Sequence, residues 1–258
     1  MTLTSGWLLL GLVSVSVASL AVAADVEPRI PAVVAAALSD PRRPAQQSAL
    51  DVNRKPAPLI AFSNMKPGDV VADFGPGNAY FTRIFSDVVG PRGHVYAFIP
   101  AEQLANCPAS EVAGTQAIAR DPSYANITVL TDSVAHFRAP QKLDVLWLSQ
   151  GYHDLHDSFM GPADVAALNK VFFRALKPGG TFLVIDHVAE SGSGLRDTET
   201  LHRIDPLRMQ QEIEAAGFVL EAQSAVLRNG ADDHKRPVFD PAVRGKTDQV
   251  VFRFRRPG

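Results

Sequence analysis

Three short segments of the chain carry side chains suited to acid–base or ligand chemistry. GYHDLHD, residues 151–157, sets His153 and His156 three apart with Asp154 and Asp157 beside them. Asp186 and His187 close the apolar run TFLVIDH, and His202, Arg203 and Asp205 follow in LHRIDP. A histidine oriented by a carboxylate can take a proton from a hydroxyl or amine, so His153, His156 and Asp154 are the candidate catalytic groups. The same donors suit a divalent ion. H-x-x-H without cysteine is a weaker ligand pattern than H-E-x-x-H, so no metal ligand is assigned and no resident metal is expected. A hydrogen-bonded network bracing nearby loops is the third reading. Tyr152 either lines a pocket or packs.

A different chemistry is written in VVADFGPGNAYFTRIF, residues 70–85, an apolar run, an aspartate, two glycines around a proline, then an amphipathic stretch. That order means strand, tight turn and helix. Glycines in such a turn let a ligand approach the backbone, and the helix amino terminus offers unpaired N–H groups. The dinucleotide spacing G-x-G-x-x-G/A fails, because counting from Gly75 puts Tyr80 at the last position, and there is no G-K-[ST]. The spacing D-x-G-x-G-x-G fits instead, from Asp73 to Ala79. Ala79 replaces the third glycine, a small obstruction if its φ is negative.

The elements that must position these groups alternate along the chain. Strand signals in DVVADF, GHVYAFI, NITVLT, KLDVLWLS and TFLVIDHV are separated by helical stretches at 79–89, 101–119 and 163–176. Such alternation means βαβ units and a mostly parallel sheet. The strands FVLEAQSAVLR and QVVFRFRR are joined by a polar loop without a crossover helix and should pair antiparallel. Asp73 and GYHDLHD then share the carboxyl edge of the sheet, where open α/β sheets bind ligands.

With 258 residues, 46% hydrophobic and 20% charged, the chain suits one α/β domain. A net charge of −2 gives no electrostatic basis for nucleic-acid or polybasic membrane-surface binding. Residues 1–24 read as a signal peptide, an apolar run ending in Ala21-Val22-Ala23, with an uncleaved membrane anchor as the alternative. The expected location is the periplasm or outside the cell, with no stable membrane insertion after cleavage. The domain spans 25–258 and opens with a helical extension over about 25–66. Cys107 is the lone cysteine, so no internal disulfide forms.

D-x-G-x-G-x-G resembles motif I of class I S-adenosylmethionine (SAM)-dependent methyltransferases. DVNRKPAPLIAF, VGPRGHVYA, GYHDLHD, LKPGGTFLVIDH, LHRIDP, EAAGFVL and RGKTDQVVFRFRRP occur in an order that resembles a bacterial family of predicted methyltransferases, often exported. The resemblance implies a class I methyltransferase (Rossmann-like) sandwich, mostly parallel with an antiparallel last strand. It implies SAM as cofactor, held by Asp73, Gly75 and Gly77, with Asp132 near the adenine amino group. In this reading His153 is the first choice of base and the acceptor is a small molecule. One position departs from the class. Ile99 stands where an acid usually binds the ribose hydroxyls, leaving Glu102 to reach back. SAM is also a cytosolic metabolite. An exported ligand-binding protein without transfer activity and a metal-dependent hydrolase using the histidine rim therefore stand as alternatives.

Overall fold

Runs rich in valine, isoleucine and phenylalanine, broken by Gly- and Pro-bearing turns, form the strands of one sheet. The computed structural model describes residues 24–25, 29–161 and 163–258, so the segment read as a signal peptide lies, but for Ala24, outside the described residues. Eight strands are present, β1 (Ala24–Asp25), β2 (Val70–Phe74), β3 (His94–Pro100), β4 (Ile127–Asp132), β5 (Leu143–Ser149), β6 (Leu176–His187), β7 (Val219–Ser224) and β8 (Gln249–Arg255). They lie in the order β1-β7-β8-β6-β5-β2-β3-β4. Strands β2 to β6 pair parallel, and β8 runs antiparallel to both neighbours. A mostly parallel sheet with an antiparallel last strand is the arrangement expected of the class I methyltransferase sandwich. No helix among the described residues is long and apolar enough to cross a membrane.

The helices are α1 (Ala32–Leu38), α2 (Ala45–Ser48), α3 (Asp51–Arg54), α4 (Pro56–Phe62), α5 (Tyr80–Val89), α6 (Ala101–Asn106), α7 (Ala113–Ile118), α8 (Val165–Ala175), α9 (Thr198–Leu201) and α10 (Pro206–Glu214). Side chains alternate across each central strand, so the sheet carries a core on both faces. Ala72, Phe74, Leu146 and Leu148 pack on one side with Phe172 and Phe182. Val71, Val145 and Trp147 pack on the other with Phe81, Phe85 and the extension residues Val34, Ile60 and Phe62. The amino-terminal extension is thus part of the domain.

The helical stretches are interrupted at prolines. The stretch 101–119 is interrupted at Cys107, which Pro108 forces into extended backbone, φ −107° and ψ 155°. The amino-terminal helical extension breaks at Lys55, which takes left-handed backbone ahead of Pro56 at the start of α4, and Pro58 continues within that helix. That break leaves Arg54 at the end of α3, facing the glycine loop.

Chain order reverses at β2. After β4 the chain returns to the far side of β2 as β5, opening a crevice between the carboxyl ends of these two strands. The glycine loop leaves β2 on one side of that crevice and GYHDLHD leaves β5 on the other.

Candidate functional site

Gly75 and Gly77 both take positive φ, +69° and +53°, as the turn from β2 into α5 demands. Among the described residues, apart from its chain neighbours, no atom lies within 4 Å of where a side chain on Gly75 would begin, so the loop has an open flank there. Ala79, whose methyl is a small obstruction only at negative φ, sits at φ +61°. Its methyl is fully buried, and its left-handed backbone is held against a cost of about 1–2 kcal/mol.

Asp73 is buried at the end of β2 and accepts a 2.6 Å hydrogen bond from the Thr82 hydroxyl of α5. Burial pushes its pKa up to about 7, against the pull of Thr82 and of the nearby Arg54 charge. The carboxyl therefore supports the loop from within the fold. Arg54 stacks its guanidinium over the Tyr80 ring at 4.6 Å and makes no hydrogen bond or ion pair among the described residues. Burial lowers its pKa, an effect Tyr80 and Asp73 oppose. Tyr80 is fixed in turn, donating to Asp51, which pairs with the buried Arg43. A half-buried cation without a partner thus faces the same loop as Asp73. Nothing in the segment DVNRKP announces the stacking of Arg54 on Tyr80.

The other wall of the loop belongs to residues 109–115. Thr115 donates to the Gly77 carbonyl at 2.7 Å, Asn78 donates to the Ser110 carbonyl, and the Gly114 amide donates back to Asn78. A methyl on Gly114 would meet the Asn78 carbonyl oxygen at 2.5 Å. Gly114→Ala gains about 1 kcal/mol in helix propensity. Rigid backbone contact outweighs that gain, so we expect a net loss of about 1–2 kcal/mol in urea unfolding. An unchanged midpoint would show that this cover moves freely over the loop.

At the ribose position the expected acid is absent. Ile99 is buried, and Glu102 does not reach back. Its carboxylate accepts from the Ser133 hydroxyl at 2.6 Å and from the Val134 amide at 2.9 Å. Asp132, at the end of β4, is exposed, accepts from the Ser133 amide and lies 3.4 Å from His136. Its side chain is free to meet a ligand but is not aimed by a buried partner.

Across the crevice, GYHDLHD forms a 3₁₀ turn over His153–His156. His153 is buried, and its Nδ1–H donates to Asp186 at 2.7 Å. Asp186 also accepts from the His153 and His187 amides, so it is fully engaged and fixes the ring. His153 Nε2 lies 3.1 Å from Asp154. Burial works against a charge on His153, but Asp186 and Asp154 outweigh it and hold the pKa well above the ordinary value. A ring flanked by two carboxylates keeps its protons, which leaves it no free lone pair for the base role expected of it. His187 is the contrast. Burial, aided by the His153 and Arg203 charges and opposed by Asp186, pushes its pKa down to about 4, and its Nδ1 lies 2.7 Å from the Thr247 hydroxyl.

The structure does not bring His156 to this group. Its Nε2 lies 3.0 Å from Glu212 of α10. Glu212 also accepts from Tyr152, whose oxygen accepts from the buried Asn169 of α8, and it pairs with Arg208. His156 and Tyr152 thus tie the β5 turn to α8 and α10. His202 takes the place that His156 was expected to fill. Left-handed backbone at φ +53° sets its ring edge-on to His153, centroids 5.5 Å apart, and against Phe239. Its Nδ1 lies 3.7 Å from both Asp154 and Asp157. The neighbouring Arg203 is fully buried and pairs with Asp232 at 2.8 and 3.1 Å, anchoring the loop that carries Phe239.

No family model matches the chain, and no curated relative matches its sequence. Solved structures do. The fold is similar to that of a SAM-dependent methyltransferase from Aquifex aeolicus, 17% identical, covering 86% of this chain and 97% of that one with a TM-score of 0.54. It is similar to the glycopeptide N-methyltransferase MtfA complexed with SAM, 16% identical, over 81% of this chain and 87% of that one with a TM-score of 0.52. The cyclase SpnF is 16% identical over 85% of this chain and 84% of that one, with a TM-score of 0.56. At such identities the likeness establishes the class I methyltransferase fold, and the reaction has to be argued from the site.

Proposed function

We propose that the chain is a SAM-dependent methyltransferase acting on a small molecule in the periplasm or outside the cell. The observation that carries this reading is the Asp73–Gly77 loop at the switch point, open at Gly75 and faced by the unpartnered guanidinium of Arg54. Within a class I sheet, that is a seat for the amino-acid end of the cofactor. When bound, SAM supplies an electrophilic methyl group on a sulfonium. Gly75 and Gly77 would let it approach the backbone, and Arg54 would hold its carboxylate with charge-assisted hydrogen bonds. Asp132 would offer an acceptor to the adenine amino group. The ribose end fits less well, since Ile99 cannot accept a hydrogen bond and Glu102 is spent on Ser133 and Val134.

The rim opposite supplies the acceptor side. Methyl transfer depends on placement and exclusion of water, so a base is helpful rather than required. Asp154, with 29% of its side chain exposed against 27% for His202, is the carboxylate of the rim best placed to meet an acceptor hydroxyl or amine. Burial works against its charge, but His153 and His202 hold its pKa well below the usual carboxylate range, so it meets the acceptor as an anion.

Calorimetric titration with SAM and with its demethylated product tests the reading. We expect saturable binding of both, and Arg54→Ala should weaken it about 10- to 100-fold, the equivalent of one charged hydrogen-bonding partner. An unchanged affinity in the variant would remove Arg54 from the seat. Ile99 and the engagement of Glu102 favour a second reading, an exported ligand-binding protein on the same scaffold without transfer activity. No binding by the wild-type chain at millimolar ligand would select it.

A further inference from the structure

We propose that His153, Asp154, Asp157 and His202 form a binding site for a divalent transition-metal ion of the zinc class. Four potential donor atoms, one from each residue, all lie within 4.8 Å of one another. The His153–Asp154 separation is 3.1 Å, and His202 lies 3.7 Å from both aspartates. A tetrahedral ion with bonds of about 2.0–2.1 Å sets its ligands about 3.4 Å apart, so small rotamer shifts would close the cage.

Asp157 points to a ligand independently of that spacing. It is 1% exposed, and among the described residues no donor meets hydrogen-bond geometry at either carboxylate oxygen. Its nearest cationic candidate, His202, stands too far away for a hydrogen bond. The nearby Thr198 hydroxyl donates to the Leu195 carbonyl at 3.3 Å. A carboxylate left unpaired in a protein interior is costly and rare, and a bound cation removes the cost.

The surroundings match the arrangement around metal-binding histidines. Asp186 accepts a hydrogen bond from His153 Nδ1–H, which sets the ring, and a bound ion would displace the proton that Nε2 carries in its absence. His202 is held in left-handed backbone, a strained state that tends to persist at functional sites. Two imidazoles with two carboxylates favour zinc, manganese or iron over magnesium and calcium, which take oxygen donors. The ion would lie beside β5, across the crevice from the glycine loop, and its binding does not require the chain to bind SAM.

The test uses the full chain stripped with a chelator and titrated with zinc chloride, then with magnesium chloride. We expect one zinc per chain and no saturable heat from magnesium. Asp157→Asn and His202→Gln should each weaken zinc binding at least about 10- to 100-fold, the loss seen even when only an outer partner of a ligand is removed. His156→Gln, outside the cluster, should bind as the wild type does. Far-UV circular dichroism checks folding, and cobalt substitution should give visible bands that vanish in the two variants. Absence of zinc binding by the wild type overturns the site, as does equal binding by Asp157→Asn and His202→Gln. A SAM titration on the same stripped protein separates the two proposals, because SAM binding without zinc binding sinks this site alone.

Discussion

Replacing Asp73 with asparagine should remove about 4 kcal/mol of pH-dependent stability between about pH 4 and pH 8. Burial raises the Asp73 pKa from the ordinary 3.8 to about 7 in the folded chain. Between these values the native carboxyl keeps a proton that the unfolded chain sheds. The stabilisation is fully present below about pH 4 and is lost as the pH rises through about 7, at a slope of about 1.4 kcal/mol per pH unit. Asparagine keeps the shape and the contact to Thr82 but cannot titrate. Urea unfolding of both proteins across this range should show the wild type losing stability relative to the variant as the pH rises. Parallel curves would mean that Arg54 fully compensates the charge and that the carboxyl is ionised throughout.

Asp232→Ala should cost about 3–5 kcal/mol, because it strands a guanidinium that the fold buries completely. Arg203 also donates to the carbonyls of Val188 and Arg236, so its position is over-determined and it cannot swing out to water. Asp232 further accepts from the Asp248 and His234 amides, which lose their acceptor in the same variant. Asp248, which pairs with Arg228, would lose its own anchor and loosen the loop between β7 and β8. The double variant Arg203→Met, Asp232→Leu removes both charges and should recover a large part of the loss. Equilibrium unfolding measures both. A loss below about 1 kcal/mol for Asp232→Ala would show that water reaches Arg203.

The strand-and-helix order and the antiparallel closing strand were legible because alternating apolar runs leave few topologies open. Asp73 and His153 could be placed on one edge for the same reason, since each follows a strand of that sheet. The partners of these groups were not legible. His156 reads as a companion of His153 by spacing, yet its partner is Glu212, fifty-six residues on, and nothing local announces the pair. His202 joins the cluster only because its backbone is left-handed, a state that sequence reserves mainly for glycine and asparagine. Ala79 takes the same backbone state, which its residue type does not announce. The burial of Asp157 without a donor is a property of the packed interior and has no signature in GYHDLHD.

Strand β8 pairs with β6 on one side and β7 on the other, and it contributes Val250, Phe252 and Phe254 to the core. During synthesis, therefore, the sheet exists as separate pieces until residues 249–255 leave the ribosome. Until then β6 presents an open, strongly apolar edge, and β8 acts as the closing staple that joins the two pieces.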